Sequence, residues 1–236
     1  MITVRHKKIF FALLTIVFLL SGCKIWLPWG KTAELARSTP EGLYQQGLKD
    51  YQSGDYKRSI ELFHRVKEEY PLSPLAIAAE MGIADAYFSG KQYLEAELAY
   101  NEYLNLHPTN ENLPYVMYQI GMCHFNEITT IDRDQSETLK ALKEFERLMV
   151  RFPGSKFSFM AEKMVRECRK ALGEQEFYVG EFYFNLKEYP SALRRFEKII
   201  REYPNVGLDY KVSYFIAETK RRIAEADVKK KPAGKM

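Results

Sequence analysis

The sequence predicts an all-α fold built from repeated helical hairpins, and three observations support this prediction. A small residue is followed by an aromatic residue four positions later, a bulky apolar residue at seven and a proline at twelve, and this spacing occurs four times. These positions share one face of a helix, and no segment alternates like a strand. Such a recurrence is typical of repeat proteins. The four copies are Ser59, Phe63, Val66, Pro71; Ala96, Tyr100, Tyr103, Pro108; Ala141, Phe145, Leu148, Pro153; and Ala192, Phe196, Ile199, Pro204.

Each copy is predicted to be the second helix of a hairpin, ended by its proline, which lacks an N–H and restricts the preceding residue. A first helix precedes each copy, and a small residue at the same place in each allows close helix approach. This is the tetratricopeptide pattern. The predicted first helices are 41–52, 75–88, 113–125 and 175–185, and their small residues are Gly47, Ala84, Gly121 and Gly180.

The unequal spacing of the copies predicts extra structure between them. Successive copies lie 37, 45 and 51 residues apart, whereas a regular tetratricopeptide repeat has about 34. An extended turn around Asp132 accounts for the second gap, and an additional helix over 156–172 accounts for the third. A last helix is predicted over 208–223. The expected domain, residues 40–224, is a solenoid of about ten helices in five hairpins, followed by a basic disordered tail, residues 225–236.

The N-terminus is predicted to be a lipoprotein signal peptide, residues 1–22. A basic segment precedes a twelve-residue apolar run that ends at Leu20, which is shorter than the roughly 20 residues needed to span a bilayer. A short membrane anchor is the alternative. The run ends in Leu20, Ser21, Gly22 and Cys23, which resembles the bacterial lipobox.

The lipobox resemblance implies cleavage before Cys23 and several acyl chains on that residue, which together anchor a protein stably. Residue 24 is a lysine and not the aspartate that retains bacterial lipoproteins in the inner membrane, so the outer membrane is favoured. Residues 23–39 are expected to be a lipidated tether. Its aromatic residues are expected either near the membrane interface or against the first repeat.

Charge and composition argue against nucleic-acid binding and catalysis. Three of the 35 basic residues and none of the 31 acidic ones precede residue 23, so the remaining chain is nearly neutral. No phosphate-binding loop or nucleophile elbow occurs, and His124 and Cys123 point to different helix faces. We therefore expect no enzyme activity, no metal and no cofactor besides the covalent lipid. Cys123 and Cys168 are either two buried thiols or a disulfide.

Aromatic residues seven positions apart on the first helices predict a peptide-binding groove. In tetratricopeptide stacks these helices line the concave surface, which suits an extended or helical apolar peptide. The alternative is that the rings pack between hairpins. The predicted groove residues are Tyr44, Tyr51, Phe88, Tyr118 and Phe125, and equivalent positions hold Met81, Phe177 and Phe184.

Basic residues on the last repeat predict a second binding surface. They alternate with the apolar residues Phe196 and Ile199, and arginine is favoured where interfaces carry binding energy. A solvated basic helix face is the alternative. The predicted partner-binding residues are Arg194, Arg195, Lys198 and Arg201.

Together these features resemble the BamD (ComL/YfiO) family of outer-membrane lipoproteins over nearly the whole mature chain. The resemblance is carried by the lipobox, the irregular repeats and local motifs. These motifs are Tyr70-Pro71, Ser73-Pro74, Ala86-Tyr87-Phe88, His107-Pro108-Thr109-Asn110, Tyr115-Val116-Met117-Tyr118, Gly121, Asp132-Arg133-Asp134 and Arg151-Phe152-Pro153-Gly154-Ser155.

The resemblance implies a non-catalytic scaffold of the outer-membrane β-barrel assembly machinery, anchored to the outer membrane and facing the periplasm. It implies that the C-terminal hairpins dock on a periplasmic domain of the barrel-forming subunit, with Arg195 as a contact. It also implies that other assembly lipoproteins are partners and that the groove meets unfolded outer-membrane proteins. The alternative function is another envelope assembly, such as pilus secretin placement or cell-wall coordination.

Overall fold

The structure, a computed structural model, describes residues 38–230 as nine α-helices with no strand among them. The predicted all-α fold is confirmed. The helices are α1 Pro40–Gln52, α2 Tyr56–Glu69, α3 Pro74–Ser89, α4 Tyr93–Leu106, α5 Leu113–Asn126, α6 Ser136–Arg151, α7 Lys156–Asn185, α8 Tyr189–Glu202 and α9 Asp209–Lys230. None of these helices combines the length and apolar character needed to cross a bilayer.

The predicted prolines end the second helices as expected. The residue before each proline has a φ between −124° and −135° and a ψ between 53° and 60°, outside the α region. This follows from the clash between a proline ring and the preceding residue. Helix starts are capped locally: Thr39 accepts a hydrogen bond from the amide of Gly42 at 3.1 Å, and Ser155 accepts one from Ser158 at 3.1 Å.

Helices pack in sequence order, each on the next, and α1 also contacts α3 while α5 contacts α7. The aromatic residue of each repeat is fully buried, and in three repeats it lies against the glycine of the first helix. A Cβ at Gly47 would lie 2.7 Å from Phe63, and one at Gly82 would lie equally close to the other edge of the same ring. Two glycines therefore create the space that Phe63 fills.

One predicted boundary is wrong: α7 is a single 30-residue helix where we expected two, over 156–172 and 175–185. No proline interrupts the segment, and a lone glycine such as Gly173 costs a helix only about 1 kcal/mol relative to alanine. Gly173 packs against Val206 and Leu208. The first half of α7 joins the core around Phe145, and its second half joins the core around Phe196. Two hairpins thus share one helix, so residues 38–230 contain nine helices where about ten were expected.

The C-terminal boundary also differs from the prediction, because α9 continues to Lys230, beyond the expected domain end at residue 224. Ion pairs one turn apart stabilise this extension. Arg221 pairs with both Glu218 and Glu225 at 2.6 and 3.0 Å. The signal peptide, Cys23, residues 24–37 of the tether and residues 231–236 of the tail lie outside the described residues.

Both cysteines in the described part of the chain are free and buried. Cys123 and Cys168 belong to the central core. Burial raises the pKa of each thiol to about 12, so both stay protonated at neutral pH. Of the two alternatives, the structure has the free thiols.

Candidate functional site

A cleft between α1 and α3 contains part of the predicted groove. We call it the N-terminal cleft. Tyr44 packs on Phe63 with ring centroids 5.4 Å apart, and the Tyr51 hydroxyl lies 2.8 Å from the Ser89 hydroxyl. Two predicted groove residues, two turns apart on α1, thus share one site with Met81, the equivalent residue of α3. The lining residues are Tyr44, Leu48, Tyr51, Phe63, Ala78, Met81, Gly82 and Asp85.

Asp85 is the one ionisable carboxyl group that lines this cleft. Its Oδ1 accepts hydrogen bonds from the hydroxyls of Tyr100 at 2.5 Å and Tyr115 at 2.6 Å. Burial raises the pKa of Asp85, and the two phenol hydrogen bonds only partly oppose this shift. Gln119 lies 3.3 Å from both phenol oxygens. The carboxylate is therefore held by neutral donors from two other helices.

The remaining predicted groove residues do not line this cleft. Phe88 packs edge to face on Tyr93 at 5.5 Å. Tyr118 lies between Phe145 and Phe157, with centroids 5.7 and 5.8 Å away. Both Tyr118 and Phe125 pack against the central core.

The equivalent aromatic residues of the last repeat pack against α9. Phe177 and Phe184 both contact Phe215 of α9, with ring centroids 5.3 and 5.4 Å apart. The aromatic set predicted as one groove is thus divided among three hydrophobic clusters.

The predicted basic residues do come together, on one face of α8. We call this the C-terminal basic surface. Its pocket is lined by Arg194, Arg195, Lys198 and Arg201 with Tyr183 and Ser191. Arg194 donates to the hydroxyl of Ser191 at 3.0 Å.

A buried acid, Glu176 of α7, organises this surface. Arg195 donates to one of its oxygens at 2.9 Å and Lys198 to the other at 2.5 Å. The Glu176 side chain is 6% exposed, whereas those of Arg195 and Lys198 are 40% and 33% exposed. The hydrogen bond to Glu176 raises the pKa of Lys198. Two cations on one acid leave the surface positively charged.

Sequence reasoning missed both Asp85 and Glu176. A weak signal exists for Asp85, since α3 has only two acidic residues and no basic one in an otherwise uncharged helix. Glu176 directly precedes Phe177, a position equivalent to the predicted groove residues, and nothing in the sequence indicated its ion pairs. Their partners come from other helices, so local spacing does not reveal them.

A third pocket, between α4, α5 and α6, surrounds His124. Its Nδ1 lies 2.8 Å from Glu137, and its Nε2 lies 3.5 Å from Glu97. In residues 38–230 no group of three or more His, Cys, Asp or Glu side chains is arranged to hold a metal ion.

Comparison with known families and proteins identifies the family. The family model YfiO, described as an outer membrane lipoprotein, matches residues 36–233. The chain belongs to the YfiO family. This confirms the resemblance drawn from the lipobox and the irregular repeats.

Curated relatives of this YfiO-family chain carry one name, outer membrane protein assembly factor BamD. The protein from Rickettsia prowazekii is 27% identical over 96% of this chain and 89% of the relative. The protein from Neisseria meningitidis serogroup B is 28% identical over 79% of this chain and 74% of its own length. The protein from Caulobacter vibrioides is 24% identical over 69% of this chain and 53% of its own length.

Two solved structures match most of the chain, each with a TM-score below 0.5. A kinesin light chain protein with tetratricopeptide-like repeats from Podospora anserina has a TM-score of 0.45 at 12% identity, covering 81% of this chain and 98% of that protein. The MamA protein has a TM-score of 0.42 at 15% identity, covering 85% and 100%.

Proposed function

We propose that this chain is a lipid-anchored scaffold subunit of the machinery that assembles β-barrel proteins in the outer membrane. Family membership and the shared name of the relatives support this role. The observation that carries it within the structure is the pairing of two separate binding surfaces on one helical-repeat body. A scaffold needs at least two such surfaces. Neither surface holds a nucleophilic side chain paired with a general base, as covalent catalysis would require.

The anchor is proposed to be the acylated Cys23, with the body in the periplasm. The described helices offer no membrane span, so in this proposal the covalent lipid attaches the protein to the outer membrane. Several acyl chains on one residue would make the attachment stable. No other cofactor enters the proposal.

The C-terminal basic surface is the proposed docking site for the periplasmic domain of the barrel-forming subunit. Arg195 is ordered by Glu176, yet its side chain is 40% exposed. A side chain fixed in advance loses less freedom on binding, which favours affinity. Arg194 and Arg201 extend the positive surface to either side. An acidic patch is the matching chemistry.

The N-terminal cleft is the proposed site for unfolded outer-membrane proteins. Its aromatic and apolar lining suits a short extended segment with bulky side chains. The cleft lies on α1 and α3, and the basic surface lies on α8, so one body can hold a substrate and the barrel-forming subunit at once. Other assembly lipoproteins would occupy further faces of the solenoid.

Affinity purification from detergent-solubilised membranes tests the docking proposal. We expect the barrel-forming subunit to co-purify with the wild type and to be reduced at least tenfold with Arg195→Ala. Arg147→Ala is the matched control, because Arg147 is similarly exposed and also pairs with a glutamate, Glu144, which lies one turn earlier on the same helix. Thermal unfolding and far-UV circular dichroism verify that both variants fold.

Two outcomes would contradict the proposal. Recovery of a pilus secretin or cell-wall proteins without any barrel-assembly subunit would favour the alternative envelope function. Equal losses with Arg195→Ala and Arg147→Ala would show that the basic surface has no special role.

For the cleft, Tyr51→Ala should weaken binding of apolar peptides. Unchanged binding with a lowered Tm would assign Tyr51 to the core.

A further inference from the structure

Asp85 differs from the other acidic side chains held among the helices of residues 38–230. Asp50 pairs with Arg58 at 3.2 Å, Glu80 lies 3.8 Å from Lys67, and Glu176 has two cations. None of the ion pairs between described residues includes Asp85. Its ligands are two phenols, which donate hydrogen bonds but carry no charge.

Half of the acceptor capacity of Asp85 is unused. Both phenols donate to Oδ1, and no residue in the described part of the chain donates to Oδ2. A carboxylate has about four acceptor positions over its two oxygens. Because the side chain lines the N-terminal cleft, a group entering the cleft can reach the second oxygen.

The walls of the cleft suit a long side chain that ends in a cation. Rings of Tyr44 and Tyr51 stand on one wall, and tyrosine rings attract ammonium and guanidinium groups. Leu48 and Met81 supply apolar surface for an aliphatic stem, which lysine and arginine bury while the charged end finds polar partners. A carboxylate with two aromatic rings beside it and apolar surface around it is a complementary site for such a residue.

We propose that the N-terminal cleft binds a basic side chain of an apolar peptide segment, with Asp85 as the group that receives the cation. This inference rests on the proposed function and makes it more specific. The segment recognised in an unfolded outer-membrane protein carries an arginine or lysine flanked by bulky apolar residues. A terminal carboxylate is repelled by Asp85, so the free end of a substrate lies outside the cleft.

Isothermal titration calorimetry with two matched peptides tests the proposal on the full chain in detergent. The first is acetyl-Phe-Leu-Arg-Leu-Phe-amide. The second replaces arginine with citrulline, which keeps the shape and most donors but removes the charge. Because a charge-assisted contact and aromatic rings both favour the cation, we expect the arginine peptide to bind the wild type about tenfold more tightly.

Asp85→Asn should remove this preference, with the arginine and citrulline peptides binding equally. Asp55→Asn is the control. Asp55 is an exposed N-cap that accepts a hydrogen bond from the amide of Arg58, and asparagine caps a helix equally well. It should keep the full preference for arginine.

The outcomes separate the inference from the proposed function. Equal affinities of the two peptides for the wild type would overturn the basic-side-chain proposal and leave peptide binding in place. Failure of both peptides to bind would overturn both. Tighter binding of the free-acid form than of the amide would also overturn the inference, because Asp85 should repel that end. The wild-type comparison needs no variant, so it stands even if Asp85→Asn folds poorly.

Discussion

The N-terminal cleft and the C-terminal basic surface each depend on an acidic side chain packed among helices, but the acids have different partners. Asp85 receives two neutral phenol donors, from Tyr100 and Tyr115. Glu176 receives Arg195 and Lys198. The same charge is therefore left uncompensated at one end of the solenoid and overcompensated at the other.

This difference shows that the charge of a binding surface depends on what holds its buried acid. The phenols donate hydrogen bonds to one oxygen of Asp85 without neutralising its charge, so the cleft stays negative. Two cations on Glu176 leave one excess positive charge, to which Arg194 adds. Arg201 on the same surface pairs with Glu202. Surfaces of opposite charge suit different partners, because complementary charge contributes more to specificity than to affinity.

The largest expected loss of stability comes from replacing the glycine that contacts the buried phenylalanine next to each surface. Gly47→Ala would place a Cβ 2.7 Å from the Phe63 ring, and Gly180→Ala one 2.5 Å from the Phe196 ring. Overpacking should cost about 3 kcal/mol in each case. Gly47→Ala should weaken peptide binding, and Gly180→Ala should weaken partner recovery. Urea unfolding measures the loss.

The matched control is Gly154→Ala, where a new Cβ would meet no atom within 4 Å. It should leave the free energy of unfolding within about 0.5 kcal/mol of the wild type. If Gly47→Ala abolished both binding activities equally, the two regions would not be separable and the comparison would fail.

The next largest effect is expected for Glu176→Gln, which removes both charge-assisted hydrogen bonds at the C-terminal basic surface. Loss of a partner from a fully buried ion pair costs 3–5 kcal/mol, but Arg195 and Lys198 can turn to water because they are part-exposed. We therefore expect about 1–2 kcal/mol. Partner recovery should fall as well, because Arg195 loses its orienting acid.

Urea unfolding of Glu176→Gln, Arg195→Ala and the double variant measures this coupling. The double variant should be less destabilised than the sum of the single variants. Full additivity would mean that the 2.9 Å contact contributes no measurable energy.

The smallest change in stability is expected for Asp85→Asn, which should stabilise the protein, unlike the substitutions above. Burial raises the pKa of Asp85 above its usual 3.8, so the folded protein binds this proton more tightly than the unfolded chain. Stability is then lost as pH rises from about 3.8 through the raised pKa. Asparagine carries no charge and avoids this loss. At pH 7 its Tm should exceed that of the wild type by about 2 °C.

The Tm difference should shrink as the pH is lowered towards 4, because Asp85 then becomes protonated and neutral. Thermal unfolding at several pH values checks this, with Asp55→Asn as the control that shows no such trend. A variant less stable than the wild type at pH 7 would mean that the ionised carboxylate stabilises the fold, contrary to its burial.

The prediction from sequence succeeded where local rules apply. The prolines ended the helices at Tyr70, His107, Phe152 and Tyr203 because the residue before proline avoids the α region in any context. The prediction was wrong at residues 172–175. A regular repeat has a turn between two helices there, but no residue in this segment ends the helix. The division between Leu172 and Gln175 came from counting hairpins and not from a physical stop signal.

The candidate site was predictable only in part. Arg194, Arg195, Lys198 and Arg201 fall on one helix, so their spacing sufficed to place them together. Tyr118 and Phe125 have the same spacing as Tyr44 and Tyr51, yet the first pair packs into the central core. Phe157, at the start of α7, contacts Tyr118. The spacing of Tyr118 and Phe125 does not show which neighbour covers them.

The sequence by itself determined the helical-hairpin repeat, the proline-terminated ends of the second helices and the family, because these depend on short-range spacing and on residues that act on their immediate neighbours. Only the tertiary structure decided the charge of the two surfaces. Asp85 meets phenols 15 and 30 residues away along the chain, and Glu176 meets cations 19 and 22 residues away. Each acid's partners arrive from other helices, so their identity depends on how the helices stack.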